Sequence, residues 1–122
     1  MQISGSALLA NFDKSHCELL HLLGYQYLQH GRPGKAAMIF EIILAVDPFN
    51  AKASQALACA HLRDQQAERA LAVLDQVPEL HKYDALTWLL KGQAFTKLGR
   101  LAEAARAMRM FILKRSEEDL QA

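Results

Sequence analysis

Leu19-Leu20-His21-Leu22-Leu23-Gly24-Tyr25-Gln26-Tyr27-Leu28 is the stretch from which the fold can be read. Leu20, Leu23, Gly24 and Tyr27 fall at i, i+3, i+4 and i+7, one stripe of a 3.6-residue helix. Gly24 costs about 1 kcal/mol against Ala in a helix interior, tolerable where a second helix comes close. Ala36, on the next helix, supplies a matching small surface. The small position recurs as Ala58 and Gly92, each 34 residues after the last. Ala36, Ala70 and Ala104 keep that interval, as do Tyr27, His61 and Phe95, and then Phe40, Leu74 and Met108. Gly31 and Gly99 keep it too, with Gln65 between them. A period of this length marks a repeat array, in which each unit covers its apolar face with its neighbour.

Outward from that stretch, Gly31 can take the left-handed conformation that ends the first helix. Pro33 opens the second, where its missing N–H does no harm. Ala36, Phe40 and Ile43 form the inner stripe of that helix, and Asp47-Pro48 stops it. Asn50 and Asp84, again 34 apart, are placed to cap the third and fifth helices. Pro78 cuts the fourth helix short and makes residues 79 to 83 an irregular connection. The last helix runs from Leu101 to about Arg115. The expectation is all-α: six antiparallel helices in three pairs, stacked as a short right-handed solenoid. The repeats span 17–50, 51–84 and 85–118, after an N-terminal segment 1–16 and before a tail 119–122. Ser4 or Ser6 could cap a short helix through Ala7, Leu8, Leu9 and Phe12, which packs on the first repeat or meets a second chain. Ser116 to Ala122 is too short and acidic for a closing helix, so Met108, Met110, Phe111, Ile112 and Leu113 are expected to lack full cover.

The 122 residues suit one domain with a modest core. Apolar residues make up 52% and charged residues 22%, and the net charge of +1 exerts no long-range pull on nucleic acid or an anionic membrane. No apolar run approaches a membrane span, and Met1 to Asp13 lacks a signal-peptide layout. Cys17 and Cys59 are too few for a disulfide framework and suit a cytoplasmic protein.

Trp88, Gly92, Phe95, Ala104 and Met108 in the third copy resemble the tetratricopeptide (TPR) pattern, as do Leu20, Leu23, Gly24, Tyr27, Ala36, Phe40 and Pro48 in the first. The resemblance covers residues 17 to 118 and implies three TPR repeats. In such stacks one face of each first helix lines a concave groove. Counted from the small residues, that face carries His21, Tyr25 and Leu28, then Gln55, Cys59, Leu62 and Arg63, then Leu86, Leu89 and Gln93. These ten are the expected partner-binding residues, an apolar strip with a polar and basic margin. Lys52, Thr96 and Lys97 fall on the same faces. Such a strip suits an amphipathic helix or an extended apolar segment. Alternatively, Leu86 and Leu89 are covered by the chain's own N-terminal segment. TPR domains that grip a peptide carboxylate use Lys, Asn and Arg where this chain has His21, Tyr25, Ala56, Leu86 and Leu90, so that chemistry is absent.

No phosphate loop, nucleophile turn or carboxylate pair is present, so no enzyme, catalytic residue or cofactor is expected. Cys17 and His21 lie four apart on one helix, with Glu18 beside them and Cys59 placed to face them, which could supply three or four metal ligands. The signal is weak beside a Cys- or His-rich cluster, and no metal is expected. His61 takes the place of a packing aromatic. The basic residues of the last helix (Arg100, Arg106, Arg109, Lys114, Arg115) are diluted by Glu103, Glu117, Glu118 and Asp119 and suggest a solvated face, not a nucleic-acid site.

Leu23 to Arg32, then Lys35-Ala36 and Asp47-Pro48, are similar to the small TPR chaperones of bacterial type III secretion, most closely the three-repeat YscY/PscY type. That resemblance implies a cytoplasmic chaperone binding one exported partner of the YscX type as a heterodimer, the complex engaging an export-gate protein at the inner membrane. The alternatives are a general TPR scaffold or adaptor, or a chaperone of another substrate such as a translocator or needle subunit.

Overall fold

A computed structural model describes residues 14–121, with side chains from residue 16 onward. Six helices follow in order: α1 (Lys14–Gln29), α2 (Pro33–Val46), α3 (Ala51–Arg63), α4 (Ala67–Asp75), α5 (Ala85–Lys97) and α6 (Leu101–Gln121). A single 3-10 turn, Glu79–His81, follows Pro78 between α4 and α5. No strand occurs among the described residues. The helices α2, α4 and α6 open at Pro33, Ala67 and Leu101, each 34 residues after the last, and α3 and α5 keep the same step. Each helix packs on the next and α5 also packs on α3, which makes an all-α solenoid. The short helix expected through Phe12 lies outside the described residues.

The turns explain why the period is so regular. Gly31, Gln65 and Gly99 have φ of 72°, 60° and 74°. In all three, an N–H one residue further on reaches back five residues: Arg32 to the Tyr27 carbonyl, Gln66 to that of His61, Arg100 to that of Phe95, at 2.8 to 2.9 Å. This is the Schellman closure, which satisfies carbonyls left over at a helix end. Gln65 therefore performs a glycine's task with a side chain attached.

Ala36, Phe40 and Ile43 are fully buried along α2, as the stripe predicts. The close approach at Gly24 is made by Phe40 instead of Ala36: a Cβ on Gly24 would sit 2.6 Å from the ring. One full repeat-pair later, a Cβ on Gly92 would sit 2.5 Å from the Met108 sulfur. Between them, Ala58 and Leu74 are both completely buried. On α1 the inner stripe is rotated from the expected one. Cys17, His21, Gly24 and Leu28 are buried, whereas Leu23 is 38% exposed and Leu20 and Tyr27 are half-buried.

Asn50 caps α3 as expected, its Oδ1 accepting from Ala53 N at 2.9 Å. Asp84 does not cap α5, because its carboxylate is taken up by His81 Nδ1 at 2.8 Å. The cap comes from far along the chain: Glu118 Oε1 accepts from Ala85 N at 3.1 Å. That bond exists because α6 does not stop near Arg115 but continues to Gln121, through the expected tail. Lys114 pairs with Glu117 at 3.2 Å along the same extension. Ile112 and Leu113 on this helix are largely exposed, while Met110 and Phe111 are half-buried. No helix among the described residues is long and apolar enough to cross a membrane.

Candidate functional site

Helices α3 and α5 lie side by side and form the walls of a groove of about 600 Å³. From α3 come Cys59, Leu62 and Arg63, at i, i+3 and i+4 and so on one face. From α5 come Leu86, Leu89 and Gln93, with Leu90 beneath and Thr96 and Lys97 at the far end. Met108 of α6 reaches the floor, because Gly92 leaves its thioether room to pass between the helices. Six of the ten expected residues thus share one cavity. Leu86 is 45% exposed and Leu89 half-exposed, so the described chain does not fill it. Leu62 contributes only an edge, being 4% exposed.

The other four belong elsewhere. His21 and Leu28 are buried in the core of the first pair, not presented in a groove. Tyr25 is half-buried, edge-on to Phe40 at 5.6 Å and alongside His21 at 6.1 Å. Burial, and then the nearby Cys59 thiol, push its phenol above the ordinary value. Gln55 donates from Nε2 to Thr87 Oγ1 at 3.1 Å, and Thr87 donates to the His81 carbonyl at 3.1 Å. Gln55 is therefore occupied in tying α3 to α5. Sequence reasoning left Met108 off the site because its column, with Phe40 and Leu74, reads as core. Its emergence into the groove follows from the flexibility of its side chain.

The groove's electrostatics are one-sided. Arg63 Nη1 reaches the Leu28 carbonyl at 3.4 Å and Lys97 Nζ reaches Gln65 Oε1 at 3.5 Å, both neutral acceptors. Among the described residues no acidic side chain lines the cavity. Among the described residues no three His, Cys, Asp or Glu converge as metal ligands; Cys17 is buried and Cys59 half-buried. His21 is held below the ordinary imidazole value by burial and then by Lys52, with Asn50 opposing in part. Among the described residues neither of its nitrogens has a partner at full hydrogen-bonding geometry, the Asn50 side chain being near enough only to oppose the shift. His61 is buried as expected and likewise lowered, by burial and then by Arg69. Both behave as neutral core groups. What the groove can do is bind an apolar chain.

The family model for anaphase-promoting complex, cyclosome, subunit 3 matches residues 34–111, nearly two-thirds of the chain. The chain belongs to that family. As a member of this TPR-like repeat family it has an all-α TPR solenoid fold, and the family points to a protein–protein interaction scaffold of the kind that is typically non-enzymatic. The matched span takes in both groove walls and most of α6, and leaves out α1 with His21, Tyr25 and Leu28. The match carries no secretion role, compartment or specific partner. No curated protein matches the chain.

Proposed function

We propose that this TPR protein is a chaperone of bacterial type III secretion, holding an exported partner of the YscX type in the α3–α5 groove until export. The observation that carries a binding role is the open apolar trough of Leu86, Leu89, Leu90 and Met108, unfilled by the described chain. Burying a leucine or methionine there is worth about 1.5–3 kcal/mol before the costs of association. The secretion assignment rests on the likeness of Leu23 to Arg32, Lys35-Ala36 and Asp47-Pro48 to the YscY/PscY type. In this reading the complex is a heterodimer in the bacterial cytoplasm that docks on an export-gate protein at the inner membrane. Binding the folded state stabilises both chains by mass action.

Co-expression with a YscX-type protein is expected to give a one-to-one complex by light scattering. Leu89→Asp should abolish it with helicity unchanged, and Cys59 should become protected from a thiol reagent in the wild-type complex. A complex that survives Leu89→Asp would place the partner elsewhere. The family match favours a second reading, a general TPR scaffold joining two proteins in another pathway. Failure of every type III substrate to bind, with a different partner bound through Leu89, would select it.

A further inference from the structure

We infer that the groove has a direction: it takes an apolar segment that carries carboxylates at the end lying against Arg63 and Lys97. This deepens the binding reading above and rests on it. Arg63 and Lys97 stand 34 residues apart, the last residues of α3 and α5, and so occupy the same position in successive repeats. Cations at a helix C-terminus are favoured by the backbone dipole, and that alone would place them there. Their position makes the difference. Among the described Lys and Arg side chains, Lys91, Arg100 and Lys114 have a carboxylate within 4 Å. Arg63 and Lys97 share the lack of one with most of the others, but among the described residues they are the two cations that line this cavity. At the opposite end, Leu86 in the first turn of α5 is apolar and 45% exposed. The trough therefore runs from a greasy mouth to a doubly cationic one.

The length of that trough follows from the helix that walls it. Leu86 to Lys97 spans about 16 Å at 1.5 Å per residue, which matches about eleven residues of bound helix or about five of extended chain. A ligand of the reverse polarity would press apolar side chains on two solvated cations and leave its own acids beside leucines. The cost of that mismatch sets register and direction more than raw affinity. These cations are also not at the positions of the TPR carboxylate grip, which here are His21, Tyr25, Ala56, Leu86 and Leu90.

Three fluorescein-labelled amphipathic peptides, about twelve residues long with the same leucine stripe, test this. One terminal pair is Asp-Asp, Asn-Asn or Lys-Lys, and each peptide is made with the pair at either end. The Asp-Asp probe should bind the full chain about three- to ten-fold more tightly than Asn-Asn, with Lys-Lys weakest and the differences shrinking as salt is raised. In the Arg63→Glu, Lys97→Glu double variant the order should reverse. Leu89→Asp should weaken all three probes by breaking the apolar strip, the Asp-Asp probe most because the new carboxylate also repels it. Equal, salt-insensitive binding of the three to the wild-type chain would overturn the polarity and leave the groove standing. Binding that ignores Leu89→Asp, or no binding of any probe, would overturn the groove and the polarity with it. The wild-type salt series decides the matter even if the double variant misfolds.

Discussion

Phe40 and Gly24 are locked together: the ring of one occupies the space that a side chain on the other would need. Phe40 is wholly buried and has nowhere to retreat. Gly24→Ala should therefore destabilise by about 1–3 kcal/mol, overpacking outweighing the helix propensity gained. Gly92 faces Met108 in the same way, but Met108 as a residue is 37% exposed and its side chain is flexible. Gly92→Ala should stay within about 0.5 kcal/mol of the parent. Urea unfolding of the two variants checks the contrast, and equal losses would refute it.

Gln65 holds φ of 60° where the turns before and after it use glycine. A side chain there costs about 1 kcal/mol or more, partly recovered by the stiffer unfolded chain. Gln65→Gly should stabilise by about 0.5–1 kcal/mol, whereas Gly31→Ala and Gly99→Ala should each destabilise by about 1 kcal/mol or more. Thermal midpoints of the three would show opposite signs.

His21 and His61 both lie below the ordinary value of 6.5 in the folded chain. As pH drops below that value the unfolded chain takes up protons first, so folding stability falls with it. The contribution is fully present above about pH 6.5 and is lost as pH falls from there through the lowered folded values. Urea midpoints between about pH 7.5 and about pH 5 should decline, and His61→Phe should flatten part of that decline. Phe is the residue already standing at the equivalent Phe95. A pH profile unchanged by both His61→Phe and His21→Phe would show that these rings do not titrate the fold.

Glu118 reaches across the last pair to the N-terminal amide of Ala85. Glu118→Ala should cost about 0.5–1 kcal/mol and speed hydrogen exchange at Ala85 and beyond Ser116, while Glu118→Gln keeps an acceptor and most of the protection. Identical exchange in the two variants would mean the contact contributes nothing.

Much of this was legible because the 34-residue step is a step in backbone conformation. Gly31, Gln65 and Gly99 share one turn geometry, and the helix starts follow from it. The face of α1 was harder. A run as apolar as Leu19 to Leu23 admits more than one stripe, and the choice falls to Phe40 on the opposite helix, which draws His21 inward and leaves Leu23 outside. Gln55 looked like groove lining because Leu89 is its counterpart one repeat on. An amide can instead span to Thr87, and that alternative has no leucine equivalent. The acids after Arg115 read as a stop, yet Lys114 and the Ala85 amide each take one up, so the helix runs on. Part of the groove's lining follows from the repeat step itself: Cys59 and Gln93 share one column and Arg63 and Lys97 another.

A wall that hangs on freely turning bonds reshapes itself around its guest, where a ring wedged into a backbone notch cannot. Met108 gives the third pair such a wall, and Phe40 denies one to the first. The first pair is therefore closed by a rigid ring and the third by an adaptable side chain. On the proposed binding role, a guest's bulk can vary at the Met108 end without loss of grip, so what the partner's sequence must keep there is its oiliness rather than its shape.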